Sequence, residues 1–169
     1  MNKLMKMPGL FGGLLLLVLM SPHMAMAAKE PGVTMKDMAG AFHDLSEYTG
    51  QGKWTVVMLW ASDCHVCNHE AAEHVKFHQR HKDTDAVVLG ISLDGQEKLE
   101  EAKQFVARHD VSFPNLIDEP LNVARFYSRM TGGRWAGTPT FMVYAPNGEL
   151  RAAQVGAVPT QIIESFIQR

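Results

Sequence analysis

The segment Val56-Val57-Met58-Leu59-Trp60-Ala61-Ser62-Asp63-Cys64-His65-Val66-Cys67 holds both cysteines of the chain, two residues apart, directly after an unbroken apolar run. The run from Trp54 to Trp60 is short, β-branched and aromatic, and the turn residues Thr49-Gly50-Gln51-Gly52-Lys53 precede it. That pattern predicts a buried strand. Ser62 and Asp63 offer helix-capping side chains, so Cys64 to about His81 reads as a helix. The cysteines therefore fall where a buried strand meets a helix N-terminus.

A C-x-x-C pair can be a metal clip, a structural disulfide or a redox centre. Loop-closure entropy rewards long loops, so a bond across two residues staples little of a chain. A structural zinc site commonly draws four ligands from two such pairs, and here there is one. Thiol-disulfide exchange needs an accessible thiolate that attacks and a second thiol near enough to resolve the mixed disulfide. At a helix N-terminus the unpaired N–H groups and the positive dipole end favour the thiolate of Cys64. Cys67, one turn in, is more shielded. Cys64 is thus read as nucleophile and Cys67 as resolving thiol.

The chain opens with Lys3 and Lys6, runs through an apolar block from Leu10 to Met20, and breaks at Ser21-Pro22 ahead of Ala25-Met26-Ala27. This is the layout of a secretory signal peptide with an A-x-A cleavage site after Ala27. The apolar block is short of the roughly twenty residues of a spanning helix. The sequence predicts a signal peptide over 1–27, an N-terminal extension over 28–43 and one domain over 44–169, exported to the periplasm. Outside the cytoplasm thiols tend to be oxidised. Cleavage leaves 14 basic against 18 acidic residues, a balance that gives no reason to expect nucleic-acid binding. Six of the 11 methionines fall within the signal segment, so methionine content is no copper signal.

Outward from the cysteines, Met35 to Tyr48 shows a weak helical pattern. Beyond the first helix, Ala86 to Ser92 reads as a second buried strand, Asp94-Gly95 as a turn, and Gln96 to His109 as a helix. The alternation of strand and helix argues for a parallel sheet with helices on its faces. Next come a short extended piece ending near Asp118 and a helix with Pro120 in its first turn. Residues 131–139 are loop-like. Thr140 to Tyr144, the turn Pro146-Asn147-Gly148 and the stretch from Glu149 to Gly156 read as an antiparallel hairpin. A last amphipathic helix, Pro159 to Gln168, places Ile162, Ile163, Phe166 and Ile167 at core spacing.

In this order the elements resemble the thioredoxin fold and, more narrowly, the exported thiol:disulfide oxidoreductases of the TlpA/ResA type. The resemblance covers roughly residue 44 to the C-terminus. It is carried by VVMLWASDCHVC with Glu70 three residues after the second cysteine, and by VSFPNLIDEPLNVARFY (111–127), which is similar to that group's strand-and-helix insertion. GTPTFMVYAPNGEL (137–150) is similar to its cis-proline strand and hairpin. The resemblance implies an α/β, thioredoxin-like fold, a central mixed β-sheet flanked by helices with the TlpA-type central insertion. It implies no cofactor, protein disulfides or dithiols as substrates, a membrane electron donor for re-reduction, and a monomer. It also implies that Pro139 is the cis-proline facing the cysteines, that Thr138 offers backbone groups to an extended substrate with Trp60 among the substrate contacts, and that Glu70 tunes the cysteines.

The chain departs from that pattern at several positions. His65 and Val66 stand between the cysteines and Ala71-Ala72 stands further on, where most relatives carry proline. Met58 occupies the place of thioredoxin's buried acid, the proton acceptor for the second thiol. Asp63 stands where many relatives have tryptophan. A donating imidazole at His65 favours the thiolate and a more oxidising disulfide. Asp63 pushes the other way.

His74, His78 and His81 share one helical face with Cys67, which raises zinc or copper binding, but the expectation is that they are surface residues of a polar helix. No metal ligand is assigned. Trp135 is read either as a substrate contact or as a lid on the core. The leading reading is a periplasmic thiol:disulfide oxidoreductase, a reductase of exported protein disulfides. Its rivals are an oxidase-like disulfide donor, a copper or zinc chaperone using Cys64, Cys67 and nearby histidine, and a catalytically silent binding module. A peroxidase is disfavoured because the P-x-x-x-T-x-x-C signature is absent around Cys64.

Overall fold

The computed structural model describes residues 32–169. The expected signal peptide and its cleavage site after Ala27 lie outside the described residues. In chain order the elements are β1 (Thr34–Asp37), β2 (Phe42–Asp44), a 3-10 turn (Leu45–Glu47), β3 (Trp54–Trp60), α1 (His65–His81), β4 (Ala86–Ser92) and α2 (Leu99–Arg108). There follow β5 (Asn115–Ile117), α3 (Pro120–Thr131), β6 (Thr140–Tyr144), β7 (Leu150–Val155) and α4 (Thr160–Ile167). The strands form one seven-stranded sheet in the order β2-β1-β5-β4-β3-β6-β7. The β3, β4 and β5 strands run parallel and the remaining neighbours antiparallel. Among the described residues no helix is long and apolar enough to cross a membrane.

The central strand explains the apolar run. Along β3, Val56, Met58 and Trp60 enter one apolar layer with Cys67, Val75 and Phe77 of α1, Phe105 of α2 and Ile163 of α4. Val57 and Leu59 enter the other, with Leu89 and Ile91 of β4 and Val123, Phe126 and Tyr127 of α3. A strand covered on both faces has no position for an alternating polar residue. Each such side chain, sealed from water, contributes about 1.5–3 kcal/mol.

Several sequence expectations are corrected. Residues 35–48 form no α-helix: β1 and β2 pair with each other, only a 3-10 turn follows at Leu45–Glu47, and β1 docks on β5 through Lys36 opposite Ile117 and Asp37 opposite Leu116. Within the expected extension over 28–43, Thr34–Asp37 and the first residues of β2 thus enter the sheet, and Met35 packs in one apolar layer with Leu116 of β5. Trp60 is no substrate contact. It is 1% exposed, its indole N–H donates to Asn115 Oδ1 at 3.1 Å, and its ring stacks on Phe105 at 4.2 Å. Of the three histidines expected at the surface, His74 and His78 are buried, at 1% and 6% exposed, and His81 is half-buried. They lie on the inward stripe that begins at Cys67. Ile162 points outward at 61% exposure, the turn of α4 having placed Ile163 against the core instead.

Each buried histidine has apolar company. The His78 Nδ1 accepts from the Val88 N–H at 3.1 Å, and the His74 ring lies 4.7 Å from Phe141. Burial pushes His74 down to about 4 and lowers His78 and His109 as well. A histidine held below its unfolded value takes up a proton on unfolding, so its stabilising contribution is full above about pH 6.5 and is lost as pH falls toward 4. Glu70, raised by burial, opposes this over part of the same range. The expected result is a urea midpoint that drops between pH 6.5 and 4, with His74→Leu removing up to about 3 kcal/mol of that drop. An identical pH profile in the variant would contradict the buried neutral histidine.

Candidate active site

Where β3 ends, the chain turns through Ala61, Ser62 and Asp63 into α1. The expected caps, Ser62 and Asp63, do not cap. Cys64 itself is the N-cap, its Sγ accepting from the Cys67 N–H at 3.1 Å. Cys64 and Cys67 are joined in a disulfide with Cα atoms 5.2 Å apart. Cys64 is half-buried and Cys67 is 0% exposed, so the two sulfurs differ in access as the assignment of attacking and resolving thiol requires. On reduction the same N–H faces the Cys64 thiolate, a donor well placed to stabilise it.

Two side chains that sequence reading passed over hold this turn. Asp94 follows β4, and its carboxylate accepts from the Ser62 N–H at 2.9 Å, the Ser62 hydroxyl at 2.8 Å and the Ser92 hydroxyl at 2.6 Å. Asn68, just after Cys67, donates through Nδ2 to the Ser62 and Cys64 carbonyls at 3.0 and 2.9 Å. Its Oδ1 accepts from Arg108 at 3.2 Å and faces His109 Nε2 at 2.9 Å. Asn68 carries a local signal, because an amide in the first helical turn reaches back to the cap carbonyls. Asp94 carries none, since its partner lies 32 residues away and only the parallel register of β3 and β4 brings them together.

The expected tuning residues divide. The Asp63 side chain is 70% exposed and pairs with Lys98 Nζ at 3.0 Å, so part of its charge is offset beside Cys64. His65 is exposed and unpaired among the described residues. Glu70 is mostly buried: one carboxyl oxygen, Oε2, has no hydrogen-bond partner among the described residues, and burial raises the group above the ordinary carboxylate range. Met58 packs in the same apolar layer as Cys67, leaving no acid behind the second sulfur on that side.

The Thr138-Pro139 bond is cis. Because Thr140 of β6 pairs with Leu59 of β3, these residues lie across from the turn that leads to Cys64. Neither backbone group of Thr138 is hydrogen-bonded among the described residues. Thr138, Trp135, Asp63 and Leu93 line a groove of about 350 Å³. Trp135 packs on the core and donates its indole N–H to Thr140 at 3.2 Å, and it also lines the groove.

A mixed sheet between helices, with a C-x-x-C disulfide at the first turn of a helix and a cis-proline strand beside it, defines a thioredoxin-like thiol-disulfide oxidoreductase. The AhpC/TSA family model matches residues 26–153, and the chain belongs to that family. It is 25% identical over 134 residues to the thiol-disulfide oxidoreductase ResA of Halalkalibacterium halodurans, covering 79% of this chain and 70% of that protein. It is 29% identical over 144 residues to the alkyl hydroperoxide reductase C of Mycobacterium tuberculosis, covering 81% of this chain and 68% of the relative. A thioredoxin-family thiol:disulfide interchange protein from Chlorobium tepidum superposes with a TM-score of 0.68 at 19% identity, over 82% of this chain and 92% of that one.

Asp94→Ala leaves the Ser62 amide and hydroxyl without their acceptor, and stability should fall by about 1–3 kcal/mol in urea denaturation. Cys64 should then exchange several-fold more slowly. Wild-type stability and exchange rate would show that the turn holds without the carboxylate.

Proposed function

We propose that the chain is an exported reductase of protein disulfides. The observation that carries this reading is the pairing of an accessible Cys64, hydrogen-bonded by the Cys67 N–H, with a sealed Cys67. In the reduced form the Cys64 thiolate attacks one sulfur of a substrate disulfide, forming a mixed disulfide and releasing the other substrate sulfur as thiolate. Cys67 then attacks Cys64 Sγ, closes the Cys64–Cys67 bond and releases the second substrate sulfur. Two electrons pass to the substrate, and a membrane donor returns them.

An extended substrate segment lies against Thr138, pairing with its free backbone N–H and C=O as an added strand. Pro139 holds that edge toward the disulfide. Asp63, His65 and Glu70 set the potential: the acids resist the thiolate and His65 favours it. The proton that Cys67 sheds goes to Glu70, the acid one helical turn further on. Export to the periplasm with cleavage after Ala27 is supported by the leader pattern of residues 1–27, and N-terminal sequencing of the exported chain should begin at Ala28. The chain acts as a monomer and takes no cofactor.

The competing peroxidase chemistry lacks its signature, since Val57 and Ala61 stand where P-x-x-x-T-x-x-C requires proline and threonine before Cys64. Metal carriage lacks a ligand set: among the described residues no three His, Cys, Asp or Glu side chains gather as an ion requires.

Equilibration with glutathione buffers should give a Cys64/Cys67 potential near or below about −270 mV, and Cys67→Ser should accumulate a mixed disulfide through Cys64. A potential near about −120 mV would replace the reductase with an oxidant in which His65 dominates. Failure to form the disulfide at any poise would sink both directions.

A further inference from the structure

One helical turn past Glu70 on α1 stands His74, a group that this chemistry has not used. Cys67, Glu70 and His74 are three and four residues apart on α1, a spacing that lines side chains along one face. His74 Nε2 lies 3.9 Å from Glu70 Oε2. Glu70 Oε2 and His74 Nδ1 are both buried without a hydrogen-bond partner among the described residues. Buried polar atoms in native proteins are normally satisfied, so two on neighbouring side chains call for a partner, such as a water or a shared proton.

The surroundings fit proton traffic. A cavity of about 260 Å³ opens between α1 and the start of α4, lined by Glu70, His74, His69, Glu73, Thr160 and Gln161. That is room for several waters, each taking about 30 Å³. The ionisable groups facing the pair are His69 and Glu73 on α1, and Glu73 is engaged by Lys76 at 2.9 Å. Among the described residues, the other elements bring only Val158, Pro159, Thr160 and Gln161 on the α4 side and Phe141 of β6. With so little charge nearby, burial keeps the imidazole neutral and makes the Glu70 carboxylate a ready acceptor for a proton released beside it. At 3.9 Å the two atoms stand just outside hydrogen-bond range, and a small side-chain rotation of a protonated Glu70 brings its O–H to the imidazole nitrogen as a donor.

We propose that His74 is a positioning residue that accepts a hydrogen bond from protonated Glu70, so that the two side chains hold the proton released when Cys67 resolves a mixed disulfide. The inference rests on the exchange reading above. The step balances: the Cys67 thiol and the Glu70 carboxylate become a disulfide sulfur and a carboxylic acid, the substrate leaves as thiolate, and the electron pair stays with the leaving sulfur. The cavity then returns the proton to solvent. The directions of both groups agree, Glu70 being raised and His74 lowered, each chiefly by burial.

The test uses the full chain with His74→Gln, which keeps an acceptor, His74→Leu, which does not, Glu70→Gln, and the Glu70→Gln/His74→Leu double variant. Carboxyl carbon NMR of Glu70 and the pH profile of peptide-disulfide reduction between pH 5 and 9 are the readouts. His74→Leu should slow resolution about tenfold, His74→Gln should stay within about threefold, and the double variant should match Glu70→Gln alone. The Glu70 midpoint should move in both His74 variants, since the two groups titrate as a pair. An unmoved Glu70 midpoint, or additive losses in the double variant, would overturn the pair and leave the oxidoreductase reading standing. If His74→Leu fails to fold, His74→Gln carries the NMR result alone. Absence of exchange in the wild-type chain would overturn the oxidoreductase reading and the pair with it.

Discussion

The hydrogen bond from the Cys67 N–H to Cys64 Sγ joins the fold to the chemistry. A helix begins with backbone donors that have no partner in the helix itself, and here one of them is given to sulfur. The donor points correctly only if α1 starts at His65 and packs against β3 through Cys67, Val75 and Phe77. Everything that fixes the end of β3 relative to α1 therefore bears on the reactivity of Cys64. The apolar layers do most of this, since β3 is sealed on both faces.

Polar groups finish the alignment. Asp94 reaches from the end of β4 to Ser62, and Asn68 reaches back from α1 to the carbonyls of Ser62 and Cys64. The three-residue turn is thus held from the neighbouring strand and from the helix it feeds. Lys98 adds a cation near Asp63, so the charge felt at Cys64 depends on the α2 side as well as on the motif. The residues between and before the cysteines do not act alone.

The second sulfur poses a different problem, because Cys67 is sealed and a thiol in an apolar layer resists losing its proton. Met58 fills the place where thioredoxin has an acid. Glu70 and His74 lie instead along the helix, beside a cavity that reaches α4. Buried histidine on α1 is costly without such a use, and His78 shows the ordinary alternative, in which a backbone N–H satisfies the ring.

By itself the sequence determined the buried central strand, the helix after it, the cysteine pair at their junction and the hairpin after Pro139. Those features depend on local periodicity and turn chemistry, which neighbouring residues encode. Tertiary structure alone decided that residues 34–37 and 42–44 are strands, because β1 gains its partner from β5, more than seventy residues away. It also decided that Trp60 is core, that His74 and His78 face inward, and that Asp94 is bound to the active-site turn. A helical repeat says which side chains share a face, but it does not say what that face meets. The partners of these residues come from distant strands and helices, and only packing brings them within reach.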